Sequence, residues 1–214
     1  QSLSSAASDV YKRQEYKFGS SADLGVNAEL KISDNLTSNI FIVNGEGHKD
    51  IQGDDGNHRF GANLIYKLNS NIITKVYYDT HAVIDSKAII NVGLFAGYKS
   101  DKFSLGAEYN KMQNGETFKD AKENHDLIGL SFYGSYLLDD KFEIFIRYDK
   151  LSSNTVEEGL TNWNYENDGD FNLIGIEYKA LKGVKFSLNT RMFSYNNSDI
   201  SNSSLVYINA EFKL

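Results

Sequence analysis

The sequence predicts an all-β fold, an antiparallel transmembrane β-barrel. Three observations carry that prediction. Apolar and polar residues alternate with period two from Ala22 to the C-terminus, connections alternate between short and long, and the aromatics of the apolar face sort by depth. About eleven strands are visible.

Composition narrows the field before any strand is drawn. The chain has 214 residues, enough for one domain, with no Pro and no Cys but 14 Tyr, 13 Phe and 17 Gly. Without Cys there is no disulfide framework, thiolate metal site or cysteine nucleophile. Mean hydropathy is -0.44, and no apolar run approaches the length of a membrane-spanning helix. A net charge of -7 argues against nucleic acid as a partner, which a basic patch would announce. Plentiful aromatic and β-branched residues argue against disorder.

Residues 1–14, QSLSSAASDVYKRQ, share neither the rhythm nor the composition of the rest. They lack the charged and apolar regions of a signal peptide and resemble a translated adapter or assembly scar. The expected organisation is therefore a non-native or disordered arm at 1–14 and the C-terminal part of a barrel at 15–214.

Strands are expected near 22–32, 36–47, 59–68, 72–82, 88–99, 103–113, 127–138, 141–152, 170–180, 184–195 and 204–214. In the first, Ala22, Leu24, Val26, Ala28, Leu30 and Ile32 alternate with Asp23, Gly25, Asn27, Glu29 and Lys31. In the third, Phe60, Ala62, Leu64, Tyr66 and Leu68 alternate with polar residues except at Ile65. The same two-residue beat runs through Ala88–Lys99, Phe103–Asn110, Phe142–Asp149, Val184–Met192 and Val206–Leu214. Each segment has about the length a tilted strand needs to cross a bilayer.

Ser33–Asn35, Asn69–Asn71, Ser100–Lys102, Asp139–Asp140 and Leu181–Gly183 read as tight turns. The intervening connections, roughly 48–58, 83–87, 114–126, 153–169 and 196–203, are longer and polar. Short periplasmic turns and longer extracellular loops are the outer-membrane barrel plan. A soluble β-sandwich also alternates apolar and polar residues, but it has no reason to sort its connections by length. Tyr66, Tyr98, Phe103, Tyr136, Phe142, Tyr178, Phe186 and Phe212 lie near the short turns or the C-terminus, and Tyr78, Tyr109 and Tyr148 lie toward the long loops. Two aromatic girdles around an aliphatic band result. With the C-terminus periplasmic, the first visible strand also descends. An odd number of strands is therefore expected upstream, because bacterial single-chain barrels carry an even count.

At Ile42-Val43-Asn44-Gly45-Glu46-Gly47, and again from Phe95 through Asn110, the chain resembles Gram-negative outer-membrane porins of the phosphate-selective porin O/P-like group. The likeness continues through Phe145-Ile146-Arg147-Tyr148-Asp149, Gly175-Ile176-Glu177-Tyr178 and the terminal Glu211-Phe212-Lys213-Leu214. Leu214 departs from the terminal aromatic usual in such barrels, with Phe212 two residues before it. The resemblance implies passive diffusion of small solutes and does not identify the solute.

Enzymatic barrels are the rival class. Asp79 and His81 share a face near a long-loop end, as an Asp/His pair does in barrel proteases, but such a pair arises easily by chance on a strand and a solvated rim explains it better. His48, His58 and His125 fall in loops without a supported Ser partner. Gln52–Asn57 lacks EF-hand ligand spacing, and Asn44–Gly47 is no phosphate cradle because no helix follows it. It is expected to shape a strand end or fold toward the pore mouth. No catalytic residue, metal ligand or cofactor is expected.

The inward face carries more information. It gathers ten basic residues, Lys31, Arg59, Lys67, Lys75, Lys99, Arg147, Lys179, Lys185, Arg191 and Lys213. Against them stand eight acidic ones, Asp23, Glu29, Asp79, Glu108, Glu143, Asp149, Glu177 and Glu211. Unpaired buried charge costs several kcal/mol per ion, so this face is wet or densely paired. More strands than the eight whose side chains fill a barrel, and inward glycines at 25, 61, 93, 97, 106, 129 and 175, favour a wet lumen. The pore-lining set expected is Arg147, Arg191, Glu108, Lys75, Asp79, Glu143 and Asn189, with arginines opposed to Glu108 across the lumen. The resulting function is an outer-membrane porin, its alternatives being a structural or adhesive barrel and, distantly, a hydrolase. Its expected partners are the lipid bilayer, lipopolysaccharide, the barrel-assembly machinery, small solutes or ions, and further copies in a homo-trimer.

The 153–169 loop carries Glu157, Glu158, Glu166 and Asp168 and no Lys or Arg. It is expected to hold divalent cations shared with lipopolysaccharide or to repel anions at the mouth. Neutralising the four should change the magnesium dependence of stability or the mouth selectivity; no change in either refutes the expectation.

Overall fold

The computed structural model describes Phe18 and residues 23–47, 56–117, 120–156 and 159–213. The 1–14 arm, His48, Gln52–Asp55, Glu157, Glu158 and Leu214 lie outside the described residues. Eleven strands run in chain order: β1 (Gly25–Lys31), β2 (Leu36–Val43), β3 (Arg59–Lys67), β4 (Ile72–His81), β5 (Ile89–Lys99) and β6 (Phe103–Gln113), then β7 (Leu127–Leu137), β8 (Phe142–Ser153), β9 (Gly169–Leu181), β10 (Val184–Tyr195) and β11 (Ser203–Phe212). Each pairs antiparallel with its sequence neighbour, giving one sheet of order β1 to β11 with β1 and β11 at its edges. All eleven expected strands are present. The second stops at Val43 instead of running to residue 47, because Gly45 and Gly47 take φ values of 91° and 82° and turn the chain out of the ladder.

The two faces differ as the alternation requires. Val26, Phe60, Leu64, Val76, Leu94, Leu105, Phe132, Ile146, Ile174, Leu188 and Ile208 are exposed on one face. The expected girdle at the short-turn end is a run of touching rings on that face. Tyr98 lies 5.3 Å from Phe103, Phe142 lies 5.0 Å from Tyr178, and Phe186 lies 6.4 Å from Phe212. A face this apolar and this exposed suits hydrocarbon rather than water.

The opposite, inner face is where burial concentrates, and it is less open than its glycines suggest. Three of them sit directly across a strand pair from an aromatic ring that leans over them. Phe41 covers Gly61, Tyr133 covers Gly106 and Phe145 covers Gly175, and a Cβ on any of these glycines would collide with the ring. Phe95 covers Gly97 on its own strand in the same way. These glycines therefore make room for rings instead of widening the lumen.

Toward the long-loop end the inner face becomes apolar. Ile89, Met112, Leu127 and Leu151 form a buried cluster with Phe18, and Val83, Ala121 and Trp163 from three loops pack onto it. The loops thus fold inward over the ends of β5 to β8. A second cluster, Phe145, Phe171 and Leu173 with Phe193, lies on β8 to β10. Replacing Gly175 with Ala should push the Phe145 ring off its seat and crowd Asn189, whose Cβ would lie 2.7 Å from the new methyl. A loss of about 1–3 kcal/mol is expected, read as a lower urea midpoint in detergent micelles; an unchanged midpoint would show that the ring has another place to go.

Candidate functional site: the inner face of the sheet

The inner face is polar along most of its height, and its buried carboxylates are held by partners on the same wall. On β3 to β5, Asp79 is 1% exposed at its side chain and takes three donors. Arg59 Nη1 donates to its Oδ1 at 3.0 Å and Asn91 Nδ2 to the same oxygen at 2.9 Å, while the Tyr77 hydroxyl donates to Oδ2. Arg59 Nη2 also meets His81 Nδ1 at 3.5 Å. This cluster is buried, not a solvated rim. The Asp79 carboxylate is committed to structural hydrogen bonds and is poorly placed to act as a base.

The Asn44–Gly47 segment completes that cluster from above. Gly45 lies against the His81 ring, where a Cβ would come within 2.7 Å of Nε2, and its N–H donates to Asp23 Oδ2 at 3.0 Å. Of the two expected roles, shaping the strand end is the one seen, and the segment also packs against the inner-face cluster at His81.

Farther along the sheet, Arg147 does not face Glu108 across open space. Its Nε donates to both Asp149 oxygens, at 2.9 and 3.0 Å, and its guanidinium lies 5.1 Å from the Tyr133 ring. The Tyr133 hydroxyl in turn donates to Glu108 at 2.6 Å. Positive and negative groups are therefore linked along one wall through a tyrosine. For Arg147 the expectation of an arginine opposed to Glu108 across the lumen is corrected accordingly: Tyr133, paired opposite Arg147 in the β7–β8 ladder, bridges the two side chains.

The remaining expected residues fall on the same face. Glu143 pairs with Lys179 at 3.4 Å, and Glu177 pairs with Lys185 at 3.0 Å. Arg191 donates to Asn189 at 3.2 Å and lies 4.4 Å over Tyr207, while Lys75 lies 5.7 Å over Phe95. Arg147, Asp149 and Tyr133 form one group with Glu108; Arg191, Asn189 and Tyr207 form another; Lys75 and Asp79 belong to β4. The inward rings Phe41, Phe95, Tyr133, Phe145 and Tyr207 were missed by sequence reasoning, which assigned aromatics to the outer face. Their signal was an aromatic in a polar slot of the alternation; Phe41, Tyr133 and Phe145 are each also paired with a glycine on a neighbouring strand.

The acidic loop also has a different internal arrangement from the one expected. Asp168 is fully buried. It accepts from Ser153 N at 2.9 Å, Ser153 Oγ at 2.7 Å and Asn162 Nδ2 at 3.2 Å, and so ties the loop to the end of β8. It is a structural anchor and faces neither lipopolysaccharide nor an approaching anion. Glu166 is exposed, and Glu157 and Glu158 lie outside the described residues.

No family profile and no curated protein matches the sequence. Among solved structures, the chain is similar to OccAB4 of Acinetobacter baumannii, with TM-score 0.55 and 14% identity, over 88% of this chain and 54% of that one. It is also similar to OmpT, an outer membrane protein of Vibrio cholerae, with TM-score 0.56 and 14% identity, over 89% of this chain and 64% of that one. The NanC porin overlaps 89% of this chain and 92% of its own at 12% identity and TM-score 0.49. The chain thus spans about half to two thirds of the length of the first two. At such identities the likeness speaks to fold alone, and the fold is that of an outer-membrane β-barrel.

Proposed function

We propose that the protein is an outer-membrane porin, a passive barrel through which small hydrophilic solutes or ions diffuse. The observation that carries this reading is the contrast between the two faces of one sheet. One face is apolar, exposed and banded by rings; the other bears paired charges and amides. A hydrocarbon-facing exterior with a polar interior is the arrangement of a water-containing barrel in a bilayer. The proposed location is accordingly the outer membrane, and the fold of the similar structures agrees with it. Non-enzymatic function is part of the same proposal: Asp79, the best acidic candidate, is bound by Arg59, Asn91 and Tyr77.

The phosphate-selective branch of the resemblance is the finer reading, and the inner face gives it little support. A phosphate filter needs a ladder of basic groups free to meet the anion. Arg59, Arg147, Lys179 and Lys185 each already hold a carboxylate. Weak selectivity with a slight anion preference fits better.

Planar-bilayer recording tests both readings. The full-length protein should conduct, and its reversal potential under a salt gradient should lie close to zero. Replacing Arg147 and Arg191 with Ala together should shift that potential toward cations while conductance persists; an unchanged potential would remove both side chains from the constriction. Arg147→Ala alone should also cost about 3–5 kcal/mol of stability, because it removes the cation that neutralises Asp149, whose side chain is 1% exposed. Absence of any ion flux from the folded protein would overturn the porin reading.

A further inference from the structure

At the long-loop end, a cleft of about 340 Å³ opens between Trp163–Asn167, Glu116 and the facing ends of β9 and β10. Its walls combine the rings of Trp163, Phe193 and Tyr195 with Glu116 and the amides of Asn164 and Asn167. Nothing in the porin reading requires such a cleft, because a plain diffusion channel needs only width.

The cleft is built in advance. Buried Asp168 holds Ser153 and Asn162, as described above, and the Asn164 backbone N–H donates to Ser153 Oγ at 3.0 Å. The Trp163 indole N–H donates to the Asp126 carbonyl at 2.9 Å, and His125 lies 5.3 Å from its ring. These contacts fix the indole plane without using its faces for hydrogen bonding. Phe193 is fixed by Phe171, 4.7 Å away. Rings and amides held in place lower the ordering cost of binding.

The chemistry of the lining selects the ligand. No Lys, Arg or His lines the cleft, so it has nothing to neutralise a phosphate or carboxylate. Among the described residues no cluster of three His, Asp or Glu side chains could hold a metal ion. A wholly apolar ligand would cut off from water Glu116 and Asn167, which stay exposed beyond their contacts with Lys122 and Asn164. What remains is a molecule with an apolar C–H face for the rings and a rim of hydroxyls for carboxylate and amide. We propose that the cleft is a saccharide subsite at the channel mouth, taking one neutral sugar ring against Trp163 and Tyr195. Its volume is at the small end for ligand pockets, which suits one ring and not a chain. The assignment deepens the porin reading by naming a solute class, and it rests on that reading for the sugar's onward passage.

Trp163 is the single tryptophan of the chain, so its fluorescence reports the cleft directly. The full chain, folded in detergent micelles, is titrated with glucose and with maltose, and with sodium phosphate as the charged comparison. A saturable change with sugar and none with phosphate is expected, and Tyr195→Ala should weaken it about tenfold. Asn167→Ala, at an exposed loop position, gives a second reading if the tyrosine variant does not fold. No saturable response to either sugar overturns the proposal, as does a response to phosphate alone. Binding that both variants leave unchanged would place the sugar elsewhere and overturns it too. Conductance without sugar response sinks the subsite and leaves the porin; sugar response in a chain that passes no ions sinks the porin and leaves the subsite.

Discussion

A carboxylate or guanidinium on the inner face of this sheet cannot be left without a partner, and most of the architecture follows from that. Taking a charge out of water costs several kcal/mol unless a counter-charge and hydrogen bonds are already in place. Asp79 with three donors, Asp149 chelated by Arg147, and Glu177 against Lys185 are each local answers to that demand. Because strands pair with sequence neighbours, those answers come from the same strand or the next one. The polar wall is therefore a series of short, self-contained groups, not two opposing banks of charge.

Under the porin reading proposed above, pairing has a consequence for permeation. A charge that already holds its counter-ion contributes little field at a distance, so a wall of closed pairs acts as a hydrated surface with weak sign. Arg191 differs, since its contacts are the Asn189 amide and the Tyr207 ring, neither of which cancels its charge. Of the two arginines considered, it is the one whose net charge reaches the interior.

The aromatic rings serve two environments with one residue type. On the outer face they form the band next to the short turns, where an amphipathic ring suits a bilayer interface. On the inner face Phe41, Tyr133 and Phe145 fill the space that the opposite glycine leaves free, and Tyr133 also carries the link from Arg147 to Glu108. Val83, Ala121 and Trp163 then pack from three loops over the long-loop ends of β5 to β8, and Trp163 helps shape the cleft beside them.

Much of this was legible in the amino-acid order. Period-two alternation assigns each residue to a face, connection length orients the sheet, and aromatic depth places one girdle; each is a local property of neighbouring residues. Strand number, the two faces and the inward charges such as Arg147 and Glu177 were readable on those grounds. The apolar inner ends of β5 and β7 went unread, although Ile89-Ile90 and Leu127-Ile128 break the alternation there. What alternation cannot supply is register. Only the ladder decides that Gly175 stands opposite Phe145, that Tyr133 stands between Glu108 and Arg147, and that Asp168 turns inward to Ser153. Those contacts join residues 14 to 30 positions apart, or depend on a loop folding back over the sheet. Their energies come from distances that no single strand's pattern contains.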